Sequence, residues 1–266
     1  MISSDKLEGL ILAAGSSSRF NFNNSRFKKY FLAFNNSNIL GYIITGMIKT
    51  GITKIKLVTS RIINKLKYRR RIIRTVTRFP IDLENLELDI IENKTPRREN
   101  GYSLFLGLNK ITSEYTILSM ADHIFSKNIF SNIIKVYKKK DILLATDPMH
   151  NEGYYDKDDA TKVLGKNKYI LKIGKDLTKY NRLDMGVFLL RTKTIKMICK
   201  QVESSFNKFG ITDIILSSLN SGLDVGYHDF SRTIWLDVDN YKIYNQLKRL
   251  FNNSSNIYPF GLAPIG

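Results

Sequence analysis

The sequence predicts a single α/β domain: a Rossmann-like, mixed and mainly parallel sheet flanked by helices. Three observations carry this expectation. Short apolar runs alternate with helix-like segments along most of the chain, which is the pattern of βαβ units. The first run, Gly9-Leu10-Ile11-Leu12-Ala13-Ala14, is apolar throughout, as a parallel strand buried on both faces requires. The length of 266 residues, 43% of them hydrophobic, suits one large domain or one domain with a modest insertion.

The elements follow in order. Residues 9–14 form the first strand, since no polar position interrupts them. Residues 39–49 have the length of a helix, and 54–59 that of a second strand. Residues 61–77 read as a helix that Pro80 stops. A third strand at 86–91 leads into a polar loop, 92–100, and a helix at 101–111. The fourth strand, 115–120, ends just before Asp122. A helix at 126–139 and a strand at 142–146 follow. The pattern then changes: residues 154–159 read as an exposed loop, and 162–164 with 169–173 as a short hairpin. Residues 185–190 return to buried strand character, 192–203 and 211–220 to helix. Late strands at 224–229 and 233–236 precede a closing helix at 241–251. One domain is therefore expected over 1–251, with a tail over 252–266.

Composition bounds the function. No window is apolar enough to cross a bilayer, and the N-terminus lacks a signal-peptide profile. Cys199 is the sole cysteine, so an internal disulfide is impossible and a packed thiol is expected. A cytoplasmic protein follows. The formal charge of +18 is densest at Lys65-Leu66-Lys67-Tyr68-Arg69-Arg70-Arg71, continuing to Arg74 and Arg78. This run reads as the solvated face of a helix on a protein whose substrates are polyanions. The rival from another class is a basic nucleic-acid or membrane-surface binding module. No nucleic-acid-binding motif accompanies the run, so no stable nucleic-acid partner is expected.

Chemistry concentrates after the first strand. Leu12, Ala13, Ala14 and Gly15 lead into Ser16, Ser17 and Ser18, small residues that let backbone N–H groups approach phosphate oxygens. Arg19 adds a fork of donors suited to phosphate. The stretch is neither a Walker A loop nor a Gly-x-Gly-x-x-Gly loop, and an ordinary Gly/Ser turn is its plainest alternative. Asp122 stands at the C-terminal end of its strand, the edge where wound sheets bind ligands, and can hold a divalent cation such as Mg²⁺ against a triphosphate. Asp237 and Asp239 alternate on one side of a strand end, and paired carboxylates call for a cation. A capping role is the plainer reading for Asp239. Lys28 and Lys29, in Arg26-Phe27-Lys28-Lys29-Tyr30, offer a cation for charge building on a transferring phosphoryl group.

These motifs resemble those of nucleotidyltransferases that join a nucleoside triphosphate to a phosphorylated sugar or alcohol. The first loop resembles that family's Leu-Ala-Ala-Gly-x-x-x-Arg signature. Residues 29–42 resemble its Lys-Pro-Leu-x-x-x-x-Gly-x-Pro-Leu-Leu-x-Tyr, with Lys29 in the place of the catalytic lysine and Tyr30 replacing the proline. Glu99-Asn100-Gly101-Tyr102-Ser103-Leu104 and Met120-Ala121-Asp122-His123 are similar to nucleotide-side motifs of inositol-1-phosphate cytidylyltransferases. Ala160-Thr161-Lys162-Val163, Lys172-Ile173-Gly174-Lys175-Asp176-Leu177 and Asp184-Met185-Gly186-Val187-Phe188 resemble that group's acceptor-side motifs.

The resemblance covers roughly residues 8–250 and implies a GT-A-like fold with an acceptor-binding part at about 147–192. It implies nucleotide contacts from Asn100, Gly101 and Ser103, and acceptor contacts from Lys175, Asp184 and Gly186. It implies CTP and inositol 1-phosphate as substrates, with transfer of CMP and release of pyrophosphate. The runner-up is a sugar-1-phosphate nucleotidyltransferase using UTP, dTTP or CTP. Some relatives carry a membrane-embedded transferase domain after this one; the sequence ends before such a segment, so transfer by this domain alone is expected, with a homodimer an open alternative to a monomer.

Overall fold

The computed structural model describes residues 2–20, 28–35, 37–60, 62–149, 159–252 and 259–262. Arg26, Phe27, most of the expected loop at 154–159 and most of the tail lie outside them.

The strands are β1 (Leu7–Ala13), β2 (Ala33–Phe34), β3 (Ser37–Asn38), β4 (Lys54–Ser60), β5 (Glu87–Asn93), β6 (Tyr115–Met120), β7 (His123–Phe125), β8 (Ile142–Asp147), β9 (Lys162–Lys166), β10 (Tyr169–Gly174), β11 (Arg182–Arg191), β12 (Val225–Asp229) and β13 (Trp235–Asp237). The helices are α1 (Ile39–Ile48), α2 (Lys65–Val76), α3 (Glu99–Leu108), α4 (Ile129–Val136), α5 (Thr192–Ser205), α6 (Ile211–Asn220) and α7 (Tyr241–Asn252). Among the described residues the main sheet has the order β5-β4-β1-β6-β11-β8-β12-β10-β9. β5, β4, β1 and β6 run parallel, β11 runs antiparallel to both its neighbours β6 and β8, and β12 is parallel to β8.

β1 is buried at every position. Its alternation divides the core: Ile11 and Ala13 join the layer of α1 and α4, whereas Leu10 and Leu12 join that of α3, α5 and α6. Each such leucine contributes about 1.5–3 kcal/mol by leaving water. Contact on the second face is close. A Cβ on Gly107 would lie 2.4 Å from Leu10 Cδ1, so α3 can approach β1 only with glycine there.

Two helices start later than expected because asparagines cap them. Asn64 Oδ1 accepts from Lys67 N at 2.9 Å and starts α2 at Lys65; Asn128 Oδ1 accepts from Phe130 N at 3.2 Å and starts α4 at Ile129. Residues 233–236 do not extend the wound sheet. Trp235–Asp237 pairs with His123–Phe125 in a separate antiparallel ribbon that sets Asp237 opposite His123.

One buried carboxylate ties the lower end of the sheet. Glu8, 1% exposed, accepts four hydrogen bonds on Oε1, from the backbone N–H and hydroxyl groups of Thr112 and Ser113, at 2.9–3.0 Å. Burial opposes ionisation, but these donors outweigh it and hold the Glu8 pKa below its ordinary value. A depressed folded-state pKa contributes stability above the unfolded-state value, lost as pH falls through the folded value. Glu8→Gln is therefore expected to cost about 1–3 kcal/mol in urea unfolding at neutral pH, a difference that shrinks as the medium is acidified below the ordinary glutamate pKa.

Candidate active site

The parallel strands deliver their C-terminal ends to one edge, and the reversed β11 brings its N-terminal half to the same edge. Leu12 is in register with Met120, and Val187 with Ser119. Gly15, Asp122, Asp184 and Gly186 thus converge although they are far apart in sequence. A cleft of ≈ 790 Å³ opens there. Leu12, Ala13, Ala14, Gly15 and Ser17 line it, together with Asn100 and Ser103. An added Cβ on Gly15 would meet nothing within 4 Å, so this backbone borders open space. Ser17, at φ 56°, accepts on Oγ from Lys29 N at 3.1 Å, which fastens the lysine segment to the loop.

Lys29 is the centre of an acidic cluster. Its Nζ lies 2.6 Å from Asp122 Oδ2 and also contacts Asp239 Oδ1. Burial works against its charge, yet Asp122, Asp237 and Asp239 together raise its pKa. The neighbouring Lys28 turns away and donates to Ser60 Oγ, which separates the two lysines that the sequence left open. Burial opposes ionisation of Asp122, but Lys29 and His123 hold its carboxyl well below the usual range.

Carboxylate oxygens of Asp159, Asp237 and Asp239 lie within 4.8 Å of one another, as do ligand atoms of Asp122, His123 and Asp237. Asp237 Oδ1 is buried and accepts no hydrogen bond among the described residues. Its pKa is pushed up to about 7, first by burial and then by Asp122 and Asp239, against the pull of His123. An orphaned buried carboxylate oxygen inside an all-carboxylate set fits a hard divalent cation. In that set Asp237 stands with Asp159 and Asp239, whereas Asp122 shares the second group with His123 and Asp237.

The other expected residues are distributed as follows. Arg19 does not point along the Gly/Ser loop; its Nη1 bridges Asp159 Oδ2 at 2.6 Å and Asp239 Oδ2 at 2.9 Å. Lys175 Nζ pairs with Asp159 Oδ1 at 2.6 Å, so both cations converge on one carboxylate. Gly101 does not line the cleft: an added Cβ would lie 2.6 Å from the Gly210 carbonyl, which makes it the close contact between α3 and the start of α6. Asn100 lines the cleft and also accepts on Oδ1 from Ile211 N at 2.9 Å, fixing α6. Ser103 Oγ accepts from Asn93 Nδ2 at 2.9 Å and is 2% exposed. Ser16 is not among the residues that line the cleft.

A smaller cavity of ≈ 190 Å³ adjoins the first, with Asp122, Thr161 and Lys175 lining both. Asp184 and Gly186 form its floor. Burial pushes the Asp184 carboxyl up to about 6, opposed by Gly186 N and His123, and Asp184 Oδ1 accepts from Gly186 N at 2.6 Å. Gly186 has φ 71°, and a Cβ there would meet the His123 ring at 2.8 Å. Gly186→Ala is expected to cost about 1–3 kcal/mol of stability through its left-handed backbone, read by urea unfolding, and to displace His123.

Sequence reasoning missed two participants. Asp159 comes from a segment with no periodicity, and only the doublet Asp158-Asp159 marked it. His123 entered the sequence reading only as part of the Met120–His123 motif, with no role of its own. Its Nδ1 donates to Asp122 Oδ1 at 2.8 Å, and its ring stacks on Trp235 with 5.7 Å between centroids. Burial opposes its charge, but Asp237, Asp122 and Asp184 raise its pKa to about 9. Trp235 is itself fixed by donating from Nε1 to Asp147 Oδ2 at 2.8 Å.

The sequence profile of the MobA-like NTP transferase domain matches residues 9–158, more than half of the chain. The chain belongs to this family. As an NTP transferase domain it is similar to the "Bifunctional IPC transferase and DIPP synthase" of Aquifex aeolicus, at 30% identity over 155 residues, 58% of this chain and 33% of that protein. The protein of the same name from Thermococcus kodakarensis is 26% identical over 170 residues, 64% of this chain and 36% of that one. The chain thus spans about a third of the length of the curated relatives it matches. The fold is shared with the solved structure described as "the inositol-1-phosphate CTP transferase from T. maritima", at a TM-score of 0.76 and 24% identity over 91% of this chain and 94% of that one. It is also shared with a putative glucose-1-phosphate thymidylyltransferase from Bacillus anthracis, at a TM-score of 0.75 and 15% identity over 92% of this chain and 94% of that one. No helix among the described residues of this NTP transferase domain is long and apolar enough to cross a membrane.

Proposed function

We propose that this NTP transferase domain transfers CMP from CTP to inositol 1-phosphate. An oxygen of the acceptor phosphate attacks the α-phosphorus in line, the new O–P bond forms as the bond to the β-phosphate oxygen breaks, and pyrophosphate leaves. The observation that carries the reading is Lys29 held between Asp122 and Asp239 at the mouth of the Gly15 loop. The names of the curated relatives and of the solved neighbour support the choice of nucleotide and acceptor.

In this reading the backbone at Ala13–Ser17 borders the triphosphate, and Lys29 leaves its carboxylates to neutralise charge on the phosphoryl group and pyrophosphate. Asp122, Asp237 and Asp239 would hold Mg²⁺, which would supply charge neutralisation on the phosphate oxygens. Arg19 and Lys175 exchange Asp159 for phosphate oxygens as substrates enter, and the Asp184 carboxyl accepts from the acceptor's hydroxyl groups. Asn100 and Ser103 face the nucleoside. The acceptor is a phosphate monoester, already ionised near neutral pH, so alignment and charge neutralisation replace a general base.

The test is pyrophosphate release from each of the four ribonucleoside triphosphates and dTTP, with Mg²⁺ and either inositol 1-phosphate or glucose 1-phosphate. Release is expected with CTP and inositol 1-phosphate. Release confined to UTP or dTTP with glucose 1-phosphate would replace this reading by the sugar-nucleotide one.

A further inference from the structure

The basic run that the sequence assigned to a solvated helix face has a more particular arrangement in the fold. Tyr68, Ile72 and Val76, spaced by four residues, turn α2 inward; the Tyr68 hydroxyl bonds Thr59 Oγ1 at 3.3 Å and also meets Tyr30. The outward face carries Lys65, Lys67, Arg69, Arg70, Arg71 and Arg74, with Arg78 just beyond, and no acidic residue interrupts residues 65–78. Among the described residues Lys65 pairs with Asp89 at 3.5 Å, and Arg71 lies 3.9 Å over the Phe31 ring. Lys67, Arg69, Arg70, Arg74 and Arg78 have no carboxylate partner there.

At the head of this cationic face stand two of the most exposed large apolar side chains of the described residues, Ile63 at 73% and Leu66 at 58%. Their position is set by the sheet. Ala13 is in register with Thr59, so β4 ends at the same edge as the Gly15 loop, and residues 62–66 lie on that edge.

We propose that α2 and the turn before it dock this domain on an anionic lipid surface, with Ile63 and Leu66 entering the interface and the arginines and lysines meeting lipid phosphates. Charge complementarity sets the sign of the partner: an unpaired cationic helix face attracts an anionic surface. The apolar pair selects among anionic surfaces. Isoleucine and leucine gain by leaving water for acyl chains, as in interfacial helices, but find no equivalent on a nucleic acid. Single strands are held by exposed aromatic rings between basic residues, and the one aromatic residue of α2, Tyr68, is turned into the core. Docking by this face would bring the catalytic edge of the sheet toward the lipid surface.

The experiment is flotation of the whole chain with vesicles of phosphatidylcholine alone or mixed with phosphatidylglycerol, at low and physiological salt, alongside binding to single-stranded RNA. Binding is expected only with phosphatidylglycerol present. Arg69→Gln/Arg70→Gln/Arg74→Gln should weaken it roughly 100-fold while leaving thermal unfolding and nucleotidyl transfer unchanged. Ile63→Ser/Leu66→Ser, at two exposed positions that folding does not need, should weaken it as well, without recovery at low salt. Equal binding to neutral vesicles, no binding to either, or indifference to the Ile63/Leu66 pair would overturn the proposal. So would RNA binding that outcompetes the vesicles and ignores that pair. These outcomes are independent of which nucleotide and acceptor the site uses.

Discussion

Lys29→Met is expected to lower kcat by about 10²–10³-fold, the loss seen when one preorganised group facing developing charge is removed. The same substitution should have an opposite effect on metal binding. Lys29 is 12% exposed in its side chain and lies against Asp122 and Asp239, with Asp237 close behind. Removing it leaves buried carboxylates facing one another, at a cost of about 3–5 kcal/mol in metal-free protein. A divalent cation would then recover much of that loss. Magnesium should therefore raise the melting temperature of Lys29→Met more than that of the wild type, while turnover stays low. Calorimetry with and without Mg²⁺, beside initial rates, checks both signs. Equal magnesium shifts in the two proteins would show that the lysine and the cation do not share this seat.

Asp122→Asn should reduce turnover roughly 10³-fold, corresponding to the several kcal/mol that a bound cation contributes to a phosphoryl-type transition state. The amide keeps the shape and can still accept from His123 Nδ1, now 2.8 Å from Asp122 Oδ1, so the ribbon of β7 and β13 should survive. The loss should therefore appear in kcat and in the magnesium requirement, together with a lower urea midpoint at neutral pH, because Lys29 and His123 hold Asp122 ionised in the folded state. Unchanged turnover in Asp122→Asn would remove this residue from the metal set. His123 and Trp235 give the position its rigidity: the ring pair is stacked at 14°, and Trp235 is tied to buried Asp147.

Much of this site was legible because its residues end apolar strands. Asp122 follows a buried run, and the C-terminal edge of a wound sheet is where such a residue meets ligand. The Gly15 loop was legible for the same reason. Direction was harder to read. Residues 185–190 are apolar whichever way the strand runs, and only the fold shows that β11 is reversed and so carries Asp184 and Gly186 to the active edge. Asp159 was illegible as a partner of Arg19, since 140 residues separate them and the loop before it has no period. Gly101 shows the converse. Its motif placed it with the nucleotide, whereas the contact with Gly210 gives it a packing task. The lysine pair was resolved by a backbone detail, the Ser17 hydroxyl that fixes Lys29 and leaves Lys28 to Ser60.

In the proposed reaction the acidic edge with Lys29 performs nucleotidyl transfer, and an alcohol phosphate is the attacking group. Phosphorus NMR of the protein with CTP, Mg²⁺ and inositol 1-phosphate carrying oxygen-18 in its phosphate tests both together. A pyrophosphate diester with the heavy isotope in the bridging position is expected, formed in step with free pyrophosphate. CTP consumed to CMP without an acceptor-derived diester, or a diester without label in the bridge, would contradict it.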